Sequence, residues 1–385
     1  MYDLTIIGGG ASGLATAISC KIANPQKKIC IIERNDKVGK KMYATGNGKC
    51  NLTNTSCLGV EEILDFFSAF GILTKADDFG RIYPINESAS DVVKALENTV
   101  NYFGVEVKCN TSVDKIDFDQ NKFIVNGSIE STSLVVATGG KAAPEFGCKG
   151  DGYKFAKSAG HSVNKTYPVL TALECKEIVG LKGVRSRGIV RLLLNEKELC
   201  RETGEIQFTE DGLSGICIFN LSTKIKIDEK ISFDNYTISI NLLPGIQIDQ
   251  AKIMMAERCK IKGFKSKDLL ISLVNEKLAK FIIKEVGIDE NIPADKVSQI
   301  EIDKLVAYLK FWNIKVLGAK GWKKAQCTGG GVSLNELNPN TMESNLVSNL
   351  YFTGEVLDYD GPCGGFNLNN AWQTGIKAGK AVANV

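Results

Sequence analysis

The chain has 385 residues, 44% hydrophobic and 24% charged, with a formal net charge of +3 at pH 7. That length suits two or three domains with cores of their own, and the near-balanced charge gives no case for a nucleic-acid or membrane partner. No apolar run approaches the ~18 residues of a membrane span, and a lone histidine, His161, excludes His-based metal clusters and disfavours a Ser-His-Asp triad. A strand that begins at Asp3 leaves no room for a signal peptide, so a cytoplasmic location is expected. The twelve cysteines are scattered and form no C-x-x-C pair, so reduced thiols are expected and a zinc or thioredoxin-type site is not.

The opening "YDLTIIGGGASGLATAISC" reads as strand, tight turn and helix. Leu4, Ile6 and Ile7 belong to a buried parallel strand. Gly8, Gly10 and Gly13 satisfy G-x-G-x-x-G, which supplies the turn, the close approach to a pyrophosphate and the close helix–strand packing. The helix that starts at Ala11 offers unpaired N–H groups and its positive dipole end to phosphates. A second strand, "KKICIIER", ends at Glu33, twenty residues after Gly13. A carboxylate there is placed for a ribose and repels a 2′-phosphate, which disfavours NADP at this site.

Two distant segments choose FAD over NAD. "SLVVATGG" is a strand, Leu134 to Ala137, that ends in Thr138, Gly139 and Gly140 and brings bare backbone beside the nucleotide. The chain closes with a strand, Leu350 to Thr353, then Gly354 and Glu355, then a Gly-rich turn and a helix from about Asn369 to Ala383. Ligands of open α/β sheets lie beyond the carboxyl ends of the strands, so this return brackets a ligand longer than an adenosine half. Glu355 is placed for ribityl hydroxyls. The N–H groups after Gly365, on Asn367 and Leu368, are placed for the flavin pyrimidine oxygen, where a helix N-terminus stabilises negative charge on the reduced ring. The cofactor set also takes in Ser12, Arg34, Asn51, Val107, Asp358 and Phe366.

The middle of the chain changes pattern. From about residue 165 to 248, short alternating segments read as antiparallel strands with turns at Asn195-Glu196 and Asp211-Gly212. From 249 to 310 the i, i+3, i+4 apolar spacing of "AKIMMAERCK", "SKDLLISLVNEKLAKFIIKEV" and "ADKVSQIEIDKLVAYLKFW" reads as helical. The expected organisation is α/β: a Rossmann-type FAD-binding domain (1–164 and 345–385), a β-rich, barrel-like substrate domain (165–248 and 311–344) and a helical insertion (249–310). Gly329-Gly330-Gly331 lacks the G-x-G-x-x-G spacing, so no separate NAD(P) domain is expected. A transiently docked NAD(P)H, or the organic substrate itself, is then expected to reduce the flavin. His161 follows a helix that stops at Gly160 and reads as a surface residue after a C-cap, with a proton donor as the rival reading.

The segments "TIIGGGASGLATA", "GKKMYATGNGKCNLTN", "GRIYPINESASDVV", "GDGYKFAKSAGH", "GEIQFTEDGLSG" and "LYFTGEVLDYDGPCGGFNLNNAW" resemble the bacterial FAD-binding flavoproteins of the aminoacetone oxidase-like and bile-acid dehydro-reductase-like type. The resemblance spans most of the chain. It departs at Thr45-Gly46-Asn47-Gly48, where S-G-G-G is usual, and at Lys49, where Arg is commoner; Asn tolerates left-handed backbone, so the same path is expected. The resemblance implies that the loop from Gly39 to Asn54 runs along the cofactor, with Lys40 and Lys41 near the phosphates and Thr45 to Gly48 presenting backbone to the ring. Cys50 reads as a packing residue of this loop, with a redox thiol as the rival. Tyr83 is a candidate acid, against a packing role. The resulting expectation is an FAD-dependent oxidoreductase that moves a hydride between flavin N5 and a small organic molecule, reducing a conjugated C=C or oxidising an amine; a non-catalytic redox sensor is the rival class.

Overall fold

In the computed structural model, residues 1–119, 122–176, 178, 180–226 and 230–385 are described, and they divide into two compact units: Met1–Val169 with Trp322–Val385, and Leu170–Gly321. The first unit is built on a seven-stranded sheet. Strand Tyr2–Ile7 lies between Ile29–Ile32 and Ile129–Val136, parallel to both, and Glu106–Lys108 extends the sheet beside Ile29–Ile32. On its other edge, strand Ile129–Val136 serves two further neighbours. Its first half pairs antiparallel with Lys122–Val125, and its second half pairs parallel with Leu350–Phe352 from the far end of the chain. Leu4, Ile6, Ile29, Ile31, Leu134 and Val135 are buried, as the apolar run of a doubly covered parallel sheet requires.

Helix Ala11–Ala23 follows the first strand, and the C-terminal helix Phe366–Ala383 packs on it. The small residues of the C-terminal helix permit this: a Cβ on Gly375 would lie 2.4 Å from Ser12 O, and one on Gly379 the same distance from Thr16 O. The helix begins three residues before the expected Asn369, because Gly365, at φ 103°, takes the N-cap.

The second unit is a closed barrel whose strands run Leu173–Cys175, Gly212–Ser214, Lys197–Phe208, Arg185–Leu194, Tyr236–Asn241 and Trp312–Ala319, the last pairing back to the first. In Trp312–Ala319 the residues alternate: Trp312, Ile314 and Val316 point inward, and Asn313, Lys315 and Leu317 outward. The Asn195-Glu196 turn carries positive φ at both residues, 46° and 68°, the backbone that matches hairpin twist.

Two expected boundaries move. Residues 322–344 belong to the first unit, since Cys327–Gly329 pairs with Tyr167–Val169 and Val332 bridges Leu357. Helices Ile248–Cys259, Glu276–Glu285 and Gln299–Lys310 share one core with the barrel, where Leu278, Ile282, Leu305 and Leu309 join Phe208 and Trp312. The helical insertion is therefore not separate. The run "SKDLLISLVNEKLAKFIIKEV" is also broken: Ser266–Leu270 is a short 3-10 turn, and Asn275 starts the helix by accepting the Lys277 N–H.

Candidate cofactor site

A cavity in the first unit lies where the carboxyl ends of the sheet strands meet the two long helices. Its wall brings together Gly8, Gly10, Ala11 and Ser12 from the glycine turn, Glu33 and Arg34 after the second strand, and Lys40, Lys41 and Thr45 from the loop. Ala137, Thr138, Gly139, Glu355, Asn367 and Leu368 complete the expected members on the wall.

Glu33 is 7% exposed, with its carboxylate beside the glycine turn. Oε2 accepts the Gly9 N–H at 2.8 Å, and Oε1 accepts the Asn35 backbone and side-chain N–H groups, each at 2.8 Å. Gly13 lies behind the turn, where a Cβ would sit 2.0 Å from Gly8 O. Arg34 forms an ion pair with Asp151, a distant partner that no local motif indicates.

Glu355, expected to take ribityl hydroxyls, is held at both oxygens. Oε2 pairs with Lys41 Nζ at 2.6 Å, and Oε1 accepts the Thr328 N–H at 3.0 Å. Burial works against the Lys41 ammonium, but the adjacent Glu355 carboxylate outweighs it and holds the group above its ordinary range. Lys40 pairs with Asp36 at 3.2 Å. The thiols of Cys148 and Cys327 also line the cavity; burial pushes Cys148 up to about 11 and Cys327 well above its ordinary value, so both are neutral thiols at pH 7.

Several expected members stand off the wall. Gly46 and Asn47 take the left-handed backbone expected of them, at φ 57° and 58°. Along with Gly48 and Asn51 they shape the turn next to the wall residue Thr45. Gly140 packs on Thr328 and Glu355, Gly354 on Ser12, and Gly365 and Phe366 form the start of the helix. Val107 is paired in the sheet with Ile31, and Asp358 accepts from Asn164. Lys49 pairs with Glu87 at 2.5 Å.

Cys50 is fully buried behind the loop, at φ 56°, and burial pushes its thiol up to about 11. Tyr83 lies off the wall, its ring 3.3 Å from where a Cβ on Gly46 would be, and burial raises its phenol. His161 corrects the expectation of a surface residue. It is 4% exposed, with Nδ1 3.1 Å from Glu336 and Nε2 2.7 Å from Ser344 Oγ.

Sequence reading missed wall residues that come from connections rather than motifs: Thr111 and Val113 after the Glu106–Lys108 strand, Phe146, Gly147 and Cys148 after "ATGG", and Gln326 and Cys327. Only the Thr138-Gly139-Gly140 signal hinted that the following segment would be near.

Residues 55–381 match the family model described as HI0933-like protein Rossmann domain. The chain is 32% identical to the 3-dehydro-bile acid delta(4,6)-reductase of Clostridium scindens, over 100% of this chain and 99% of that protein. It is 27% identical to the ribosomal RNA dihydrouridine synthase of Haemophilus influenzae, over 98% of each. Among solved structures, 3-ketosteroid delta1-dehydrogenase from Sterolibacterium denitrificans, in complex with 1,4-androstadiene-3,17-dione, superposes with a TM-score of 0.52 at 11% identity, covering 100% of this chain and 99% of that one; this likeness concerns the fold alone. The chain belongs to the HI0933-like family and is an FAD-dependent oxidoreductase.

Proposed function

We propose that the enzyme saturates a C=C bond conjugated to a carbonyl in a small organic substrate, with NAD(P)H as the source of electrons. When bound, FAD would supply the hydride to one carbon of the C=C, and the other carbon would take its proton from water. The protein binds and orients. The glycine turn and the N-terminus of helix Ala11–Ala23 hold the pyrophosphate, and Glu33 takes the adenosine ribose. The first-turn N–H groups of Phe366–Ala383 stabilise negative charge at the other end. The observation that carries this reading is the continuity of one cavity wall from Gly8 and Glu33 to Asn367 and Leu368. It offers a carboxylate for a ribose at one end and helix N–H groups at the other, which suits a dinucleotide flavin.

The conjugated C=C is drawn from the relatives' names. The delta(4,6) bonds of a 3-dehydro bile acid are conjugated to the 3-carbonyl. A second reading follows from the dihydrouridine synthase likeness. Dihydrouridine is uridine with its C5=C6 bond, conjugated to the C4 carbonyl, saturated; the same chemistry would then act on a uracil ring in RNA. The net charge of +3 argues against an extended RNA surface.

The test is anaerobic. NADH or NADPH is expected to bleach the bound flavin, and a dienone steroid to restore its colour. Recolouring by ribosomal RNA and not by the dienone selects the second reading. Bleaching by an amine in place of NAD(P)H makes the protein an amine dehydrogenase, and a flavin that bleaches but is recoloured by none of these acceptors favours a redox sensor. Release of FMN alone from the purified protein would sink the cofactor assignment.

A further inference from the structure

Residues 51–54 run beside the turn that opens the C-terminal helix. Trp372 Nε1 donates to Leu52 O at 3.0 Å, Thr53 Oγ1 to Asn369 Oδ1 at 2.6 Å, and Asn54 Nδ2 to Gly364 O at 3.0 Å. Three consecutive residues thus have a polar atom engaged by segment 364–372. Asn51 breaks the pattern. It is 8% exposed, and its Oδ1 has no hydrogen-bond partner among the described residues. Buried acceptors are ordinarily paired, so this oxygen points to a donor that the chain does not supply.

Its surroundings narrow the donor. A Cβ on Gly365 would fall 2.9 Å from Asn51 Oδ1, and a Cβ on Gly46 would fall 2.9 Å from Asn51 N. Both glycines adjoin the cavity wall, since Thr45 precedes Gly46, and Asn367 and Leu368 follow Gly365. The helix capped by Gly365 is eighteen residues long, and its first backbone bond is Asn369 N–H to Gly365 O. The N–H groups before Asn369 have no acceptor within the helix. The Asn367 side chain is turned back on the loop, accepting from Gly361 N at 2.9 Å and donating to Gly361 O at 2.8 Å, so it contributes its backbone N–H alone to the opening. The place therefore offers N–H donors beside one buried acceptor.

That pattern is the complement of an imide edge, a carbonyl next to an N–H. Oxidised isoalloxazine has one ring N–H, at N3, next to the C2 carbonyl. We propose that Asn51 Oδ1 accepts the flavin N3–H while the first-turn N–H groups receive the C2 oxygen, which fixes the ring's pyrimidine edge in the cavity. The assignment rests on the FAD reading above, and it gives the "GNGKCN" loop a recognition role as well as a shape.

The experiment compares apoprotein reconstituted with FAD and with N3-methyl-FAD, with flavin fluorescence giving the two Kd values. Wild type is expected to bind the methylated analogue about tenfold more weakly or worse. Asn51→Ala is expected to bind the two within about twofold, and Asn51→Asp, which keeps an oxygen at that position, to discriminate between them. In the wild type, FAD labelled with 15N at N3 is expected to show an N3–H protected from exchange with water. Equal affinities in the wild type, or an N3–H that exchanges as in free FAD, would overturn the assignment while leaving the cofactor reading intact. Discrimination that survives in Asn51→Ala also overturns it. Wild-type apoprotein that fails to bind FAD removes both.

Discussion

The two units bury polar groups in different ways. In the barrel unit these groups bond back to their own backbone. The buried Lys310 Nζ donates to Leu243 O at 2.9 Å and Ile246 O at 2.7 Å, Asn241 Oδ1 accepts the Leu243 N–H, and Ser222 Oγ donates to Phe219 O and accepts from Thr171 N. These bonds tie one stretch of the unit's own backbone to another. In the sheet unit, Glu33, Lys41 and Glu355 stand on a cavity wall and Asn51 keeps a bare oxygen next to it. Polar burial of the first kind stabilises a chain path; the second kind holds groups ready for a ligand.

The largest effects should come from two glycines that test this contrast. A Cβ on Gly13 would lie 2.0 Å from Gly8 O, and one on Gly212 1.9 Å from Leu173 O. Gly13→Ala and Gly212→Ala should each cost roughly 2–4 kcal/mol in stability, because a backbone contact cannot yield as a flexible side chain can. Their flavin content should differ. Folded Gly13→Ala protein should emerge depleted of flavin, and folded Gly212→Ala protein should carry it in full. Thermal unfolding and the ratio of flavin to protein absorbance measure the two. Equal flavin loss would mean that the barrel unit shapes the cofactor site and that the contrast is false.

A second pair is charged and somewhat smaller. Lys310→Met strands two carbonyls and should lower stability by about 1–3 kcal/mol without loosening FAD. Glu33→Gln keeps the shape of the side chain and removes its charge, and should weaken FAD by about 1–2 kcal/mol with a smaller effect on unfolding. Denaturant titration and reconstitution of the apoprotein separate the two outcomes. If Lys310→Met releases flavin, the ammonium does more than tie a turn.

Much of the fold was legible because its signals are local. Gly8, Gly10 and Gly13 sit on one turn, Glu33 ends the next strand, and the barrel strands alternate. The return of Leu350–Phe352 to the first sheet could be read from the small residues that let the last helix approach the first. What could not be read is set by long-range pairing. His161 looked like a residue after a helix stop because its partners, Glu336 and Ser344, lie 175 and 183 residues away. Lys41 was expected near the phosphates from the resemblance, and its ion pair could not be read because Glu355 lies 314 residues on. Cys148 and Cys327 line the cavity from connections whose path no periodicity encodes. Asn51 was named for the cofactor, but its unpaired oxygen lies beside Gly365 across the turn, and no spacing within its own loop reveals that.

The smallest effect is expected where the contrast between the units should vanish. Cys50 in the sheet unit and Cys175 in the barrel unit are both buried free thiols. Burial raises Cys50 from 9.0 to about 11 and Cys175 from 9.0 to about 12. The sign follows from proton counting. As pH rises past about 9 the unfolded chain gives up these protons while the folded chain keeps them, so the native state binds more protons and loses relative stability. For Cys50 that loss should run from about 9 to about 11 and then level off. Cys50→Ala should make the alkaline slope shallower, by up to roughly 1.4 kcal/mol per pH unit, at a cost of about 1 kcal/mol at pH 7 for the space it leaves. Cys175→Ala should act the same way in the other unit. Denaturation measured across this pH range checks both. Flavin reduction and reoxidation in Cys50→Ala should stay within about twofold of wild type, since burial keeps the Cys50 thiol protonated and a neutral thiol is unreactive compared with its thiolate. A tenfold loss in either rate with FAD still bound, equivalent to about 1.4 kcal/mol in the barrier, would make Cys50 a redox thiol after all.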